Sequence, residues 1–129
     1  MPVRSSTSSV LKWPERHAVE VALRAWAPAE ATRHPGLVRL GVFGSYARGD
    51  AAFGSDLDLV AVVEDSQEPF ERRAVSWDLA SLPVPAEILV YTQAEWRRLV
   101  DEGSRFAAVL RREARWLIES GSEGGIGRQ

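Results

Sequence analysis

Three short, mainly apolar runs punctuate the chain, and helix-spaced apolar positions fill the intervals between them. Leu37 to Phe43 reads as a strand ending at Gly44. Asp56 to Glu64 reads as a second, with the apolar centre Leu59-Val60-Ala61-Val62-Val63. Glu87 to Tyr91 reads as a third, led in by Pro83 and Pro85. Ahead of these, Ala18, Val21, Ala22 and Ala25 recur at 3.6-like spacing, predicting a helix from a first turn at Pro14 to about Trp26. Pro28 and Pro35 bracket an irregular stretch after it. A short helix is expected over Ser45–Arg48, and a loop from Gly49 to Gly54. Pro69 opens a helix carrying Phe70, Ala74 and Trp77. Thr92 caps the next helix, with Glu95 in capping-box position and Trp96, Leu99 and Val100 as its apolar stripe. Gly103 breaks that helix, and Phe106, Val109, Leu110, Ala114 and Leu117 make the stripe of a last one. Strands interleaved with helices predict a small α/β domain, a mixed sheet of three or more strands with helices packed on one face. The domain is expected over 10–120, between a serine-rich tail at 1–9 and a glycine-rich tail at 121–129.

Composition narrows the chemistry. A length of 129 residues is one domain, and 45% hydrophobic content supports a core without staples. The absence of cysteine excludes disulfides, thiolate zinc sites, iron–sulfur clusters and a cysteine nucleophile. Only His17 and His34 are present; neither has a partner motif, and both read as structural or exposed. A formal charge of −2 argues against a protein held to nucleic acid by a strong overall field, so nucleic acid is not expected as the main partner, while a local basic groove stays open as the alternative. The arginines between Trp96 and Trp116 are interleaved with Asp101, Glu102 and Glu113, the pattern of a solvated face. No apolar run approaches a bilayer span, and the first ten residues lack the apolar core of a secretory signal, so no membrane association and a cytoplasmic location are expected.

Two segments carry candidate chemistry. The first is Gly41-Val42-Phe43-Gly44-Ser45-Tyr46-Ala47-Arg48-Gly49-Asp50. Its glycine spacing fits neither a Walker loop nor a dinucleotide fingerprint. It reads as a strand running into a tight turn and a short helix. Gly44 permits close approach to the backbone, and free N–H groups with the Ser45 hydroxyl form a phosphate cradle that Arg48 can reach. Taken alone, the segment also fits an ordinary strand-to-helix turn.

The second segment is Gly54-Ser55-Asp56-Leu57-Asp58-Leu59. Residues two apart on a strand share a face, so Asp56 and Asp58 project together while Leu57 and Leu59 face the core. Adjacent carboxylates repel unless a cation lies between them. Oxygen ligands of this kind suit Mg²⁺ completed by substrate phosphates. If the third strand lies beside the second, Glu87 adds a third acid, and such a cluster can hold two metal ions. A glutamate at a strand start is also a common solvated residue.

With Gly44-Ser45-Tyr46-Ala47-Arg48-Gly49 followed closely by Ser55-Asp56-Leu57-Asp58-Leu59, the chain resembles the minimal nucleotidyltransferases of the DNA-polymerase-beta-like superfamily. The resemblance extends from about Leu37 to Leu117. It implies a stand-alone polymerase-beta-like catalytic domain that transfers a nucleoside monophosphate, AMP in the first instance, from a nucleoside triphosphate such as ATP to a hydroxyl, releasing pyrophosphate. By the same resemblance Asp56 and Asp58 match the metal-binding acids, with Glu87 as the third. Gly44 and Ser45 match the pair that holds the β- and γ-phosphates, with Arg48 in support. The family's third acid is usually aspartate; Glu87 departs from it by one methylene, about 1.5 Å of reach. The resemblance further implies a small helical HEPN-domain partner, an RNA-cleaving toxin. The chain would act as its antitoxin, attaching AMP to a partner tyrosine or neutralising it by binding alone.

Overall fold

The computed structural model describes residues 16–52 and 54–119. The expected tails, the Pro14 helix start, and residues 10–15 and 120 of the expected domain lie outside the described residues. In chain order the elements are α1 (Arg16–Arg33), β1 (Leu37–Phe43), α2 (Ser45–Arg48), β2 (Leu57–Val63), a 3₁₀ segment (Phe70–Ser76), β3 (Ala86–Thr92), α3 (Gln93–Asp101), α4 (Arg105–Glu113) and β4 (Arg115–Glu119). No helix among the described residues is long and apolar enough to cross a membrane.

The first helix runs past Pro28, beyond its expected end at Trp26. A proline in a helix interior removes one backbone hydrogen bond and costs about 3 kcal/mol in isolation. Here the buried stripe Val19, Leu23, Trp26, Ala27 and Glu30 keeps helical spacing through the proline, so packing outweighs propensity. That stripe also corrects the phase expected from Ala18, Val21, Ala22 and Ala25, since Val21 is exposed. Buried Glu30 accepts from Arg33 at 2.6 Å and from the Asp78 N–H at 3.3 Å. Trp26 Nε1–H donates to the Asp78 carbonyl at 2.7 Å, and His34 stacks on Trp77 at 3.9 Å. These contacts latch the end of α1 to the chain that follows the 3₁₀ segment. They give His34 a structural role, while His17 is exposed.

The four strands are ordered β3-β2-β1-β4. β1 pairs antiparallel with β2 and with β4, while β2 and β3 are parallel. A parallel pair needs a crossover connection, and the chain from Glu64 to Pro85 supplies it. The helix expected after Pro69 is a 3₁₀ segment there. It is pinned by Arg73, whose guanidinium is buried against the Val90 carbonyl and the Glu95 carboxylate. The capping box at Thr92 and Glu95 forms as expected, with Thr92 Oγ1 accepting from Glu95 N–H at 3.1 Å.

The last helix ends at Glu113, not at Leu117. Ala114 is extended, and the next five residues become β4. Short apolar runs read equally as helix or strand, and here the open edge of β1 decides the outcome by offering backbone partners.

Helices cover both faces of the sheet rather than the one face expected. On one side Leu40, Val42, Leu59, Ala61, Ile88 and Val90 pack against α1 and Trp77. Each fully buried leucine there contributes about 1.5–3 kcal/mol. On the other side α3 and α4 close over the alternate residues. Phe106 meets Phe43 edge-on at 5.8 Å, and Trp96 lies 6.2 Å from both Tyr91 and Trp116. Trp116 lies so close over Gly41 that a Cβ at that glycine would stand 2.6 Å from the ring.

Candidate active site

Strand alternation puts Phe43, Asp58 and Glu87 on the α3/α4 face, at the end of the sheet where β1 runs into α2. The register makes Phe43 the partner of Asp58 in the antiparallel pair, and Glu87 the partner of Asp58 in the parallel pair. The third strand therefore does lie beside the second. Asp56 precedes β2 rather than lying on it. The loop ahead of it is closed by Ser55, whose Oγ accepts from Ala52 N–H at 2.9 Å and whose N–H donates to the Ala52 carbonyl at 2.9 Å. The Leu57 N–H donates to the Pro85 carbonyl at 2.9 Å, fixing where the parallel pairing starts.

Asp56 and Glu87 are exposed and Asp58 is half-buried. Burial pushes the Asp58 carboxyl above the usual carboxylate range, and the charges of Glu87 and then Asp56 push it further, opposed by Arg48. Both neighbouring acids thus act on Asp58 electrostatically. Among the described residues, no three His, Asp or Glu side chains converge as a ready-made metal cage. The donor set nonetheless fits Mg²⁺, which is commonly held by one or two carboxylates and completed by substrate phosphates and water. Asp58, crowded by like charge, has the most to gain from such an ion.

The turn is built tightly against this acid. Gly44 has φ 76° and ψ −153°, a combination open almost only to glycine. A Cβ there would collide with Asp58 Oδ2 and lie 3.3 Å from Asp58 Cγ. No side chain caps α2. Its first carbonyls are satisfied inside the turn, Gly44 accepting from Arg48 N–H and Ser45 from the N–H groups of Gly49 and Asp50, each at 3.0 Å. Gly49 closes the helix in the left-handed conformation, and Arg16 donates to its carbonyl. Arg48 is exposed and its guanidinium donates to Asp50 at 3.2 Å.

One residue escaped sequence reasoning. Glu113, at the end of α4, accepts from Gly44 N–H at 3.4 Å and from Arg48 at 3.3 Å. Sixty-nine residues separate it from Gly44, and nothing in its Arg-Arg-Glu setting signals the contact. The arginines Arg97, Arg98, Arg105, Arg111 and Arg112 are exposed, as expected of a solvated face, and Arg115 pairs with Glu20.

The family profile described as "Nucleotidyltransferase domain" matches residues 29–114, which span α2, β2 and β3 and all the acids above. Among solved structures, a proposed nucleotidyltransferase from Sulfolobus solfataricus is similar at 18% identity and TM-score 0.58, over 81% of this chain and 83% of that one. A toxin–antitoxin structure with AMP-PNP is similar at 18% identity and TM-score 0.49, over 84% of this chain and 77% of that one. A mutant of the toxin–antitoxin pair MntA–HpeT follows at 15% identity and TM-score 0.46, over 84% and 76%. At these identities the likeness is one of fold. No curated protein matches the chain.

Proposed function

We propose a function from a fixed starting point: this chain belongs to the nucleotidyltransferase domain family. Its reaction would be Mg²⁺-dependent transfer of AMP from ATP to a protein hydroxyl, a tyrosine on a small helical HEPN-type partner. The observation that carries this reading is the placement of Asp58 between two motif elements. Gly44 backs directly onto its carboxylate, and Glu87 lies beside it in the strand register.

In this reading the acceptor oxygen forms a bond to the α-phosphorus. The bond from that phosphorus to the bridging oxygen breaks, and pyrophosphate leaves with the electron pair. Asp56 and Asp58, with Glu87 as the third acid, would hold Mg²⁺, which would supply charge neutralisation and Lewis acidity at the phosphates. Gly44 N–H, Ser45 and Arg48 hold the β- and γ-phosphates. Glu87, exposed and beside Asp58 in the strand register, would complete the metal's acid ligands and help activate the acceptor hydroxyl.

A second reading has its own support. The third acid is a glutamate, and the described residues form no closed three-acid cage. A misplacement of about 1 Å can cost about 100-fold in rate. The chain would then be an antitoxin that neutralises its partner by binding alone.

Incubation with each labelled nucleoside triphosphate, Mg²⁺ and a candidate partner, followed by mass spectrometry of both proteins, separates the two. Transfer requires a mass increase equal to the nucleoside monophosphate on the partner. Glu87→Gln is expected to abolish it while triphosphate binding persists, the pattern of a lost transition-state interaction. Full transfer by Glu87→Gln refutes its role. Tight partner binding without any transfer by the unaltered chain favours the binding reading.

A further inference from the structure

A second acid rests against the glycine turn, and the proposed reaction does not use it. Glu113 has a side chain only 19% exposed, and its carboxylate rests against Gly44 N–H and the Arg48 guanidinium. These are two of the donors assigned above to the nucleotide phosphates. Its place on α4 has no local rationale: it ends the helix, where the dipole disfavours an anion. Its contacts are also long. At 3.3–3.4 Å they exceed the roughly 2.9–3.0 Å of a typical N–H···O bond. Arg48 keeps a second carboxylate partner, Asp50 at 3.2 Å, when Glu113 departs.

We propose that Glu113 is a resident carboxylate in the phosphate position, which an incoming triphosphate must displace, and that it thereby sets the affinity of the site. The inference rests on the nucleotide-binding reading but not on catalysis. A carboxylate and a phosphate oxygen are both anionic acceptors, and the same donors cannot serve both at full strength. If Glu113 remained beside a bound triphosphate, its charge would oppose the ligand. If it swings away, its bonds to Gly44 and Arg48 are lost. Either way, the native charge at this position weakens nucleotide binding. A purely structural clamp on Arg48 has the opposite signature, because its removal would loosen the cradle and weaken binding.

The test is calorimetric titration of the full chain with inorganic tripolyphosphate without metal, and separately with ATP and Mg²⁺. Glu113→Gln keeps an acceptor for Gly44 N–H and removes the charge; it should bind tripolyphosphate roughly tenfold tighter. Adding Arg48→Ala should erase that gain. Glu113→Asp, which withdraws the carboxylate from both donors, is a second variant and should also tighten binding. Unchanged or weaker tripolyphosphate binding in both folded variants overturns the proposal, as does failure of every form to bind it. The nucleotidyltransferase reading fails separately. It is lost if ATP affinity shows no dependence on Mg²⁺, or if that dependence survives replacement of both Asp56 and Asp58 by asparagine, whatever the Glu113 variants do.

Discussion

Replacing Gly44 by alanine probes the site where it is tightest. The backbone at φ 76° and ψ −153° costs a residue with a side chain about 1–3 kcal/mol. The new methyl would also drive into the Asp58 carboxylate, and overpacking of this kind costs about 1–3 kcal/mol more. The sum is about 2–6 kcal/mol. At about 4 °C per kcal/mol, the melting temperature should fall by roughly 8–24 °C. Gly103→Ala is the matched control. Gly103 has φ +69° and nothing within 4 Å of a Cβ, so strain alone operates there, at about 1–2 kcal/mol. In an Asp58→Ala background the collision disappears, and Gly44→Ala should cost only its backbone strain. Thermal unfolding followed by circular dichroism measures all four differences, and the double-mutant cycle isolates the contact. The reasoning is refuted if Gly44→Ala costs no more than Gly103→Ala, or costs the same with and without the Asp58 carboxylate.

Two further predictions concern charge. Burial, Glu87 and Asp56 raise the Asp58 pKa in the folded state, so the fold binds this proton more tightly than the unfolded chain does. Stability should therefore fall as pH rises through the raised pKa, and Asp58→Asn should melt higher than the unaltered chain at neutral pH and lack that decline; a lower melting temperature for the variant at pH 7 would contradict this. Glu95 is the opposite case: the Arg73 hydrogen bond holds its carboxyl below the usual range, so its stabilisation is present above the unfolded pKa and is lost as pH falls through the folded one. Glu95→Gln leaves the 9%-exposed Arg73 side chain without its counter-ion and should cost about 1–3 kcal/mol at pH 7, less than a fully buried pair because Glu95 is itself 36% exposed. Chemical denaturation at pH 7 and at pH 3 reads the difference, which should shrink in acid.

The sequence alone determined the parts of this protein that depend on neighbours along the chain. β1, α2, β2 and β3 follow from short apolar runs bounded by glycine and proline, and their observed ends differ from the expected ones by one residue at most. The Thr92–Glu95 capping box is a local bond between residues three apart, and the Gly44-Ser45 turn is likewise local. Family membership was legible for the same reason, because it rests on two compact motifs close together. What tertiary structure decided depends on surfaces that sequence does not bring together. α1 continues through Pro28 because Trp26, Ala27 and Glu30 find partners on the sheet and near Asp78. Residues 115–119 are a strand because the edge of β1 supplies hydrogen bonds that an isolated segment lacks. The partnering of Glu87 with Asp58 required the parallel register, which no spacing encodes. Glu113 reached the glycine turn only because α4 folds back across the sheet, the kind of long-range contact that exists once the chain is packed and not before.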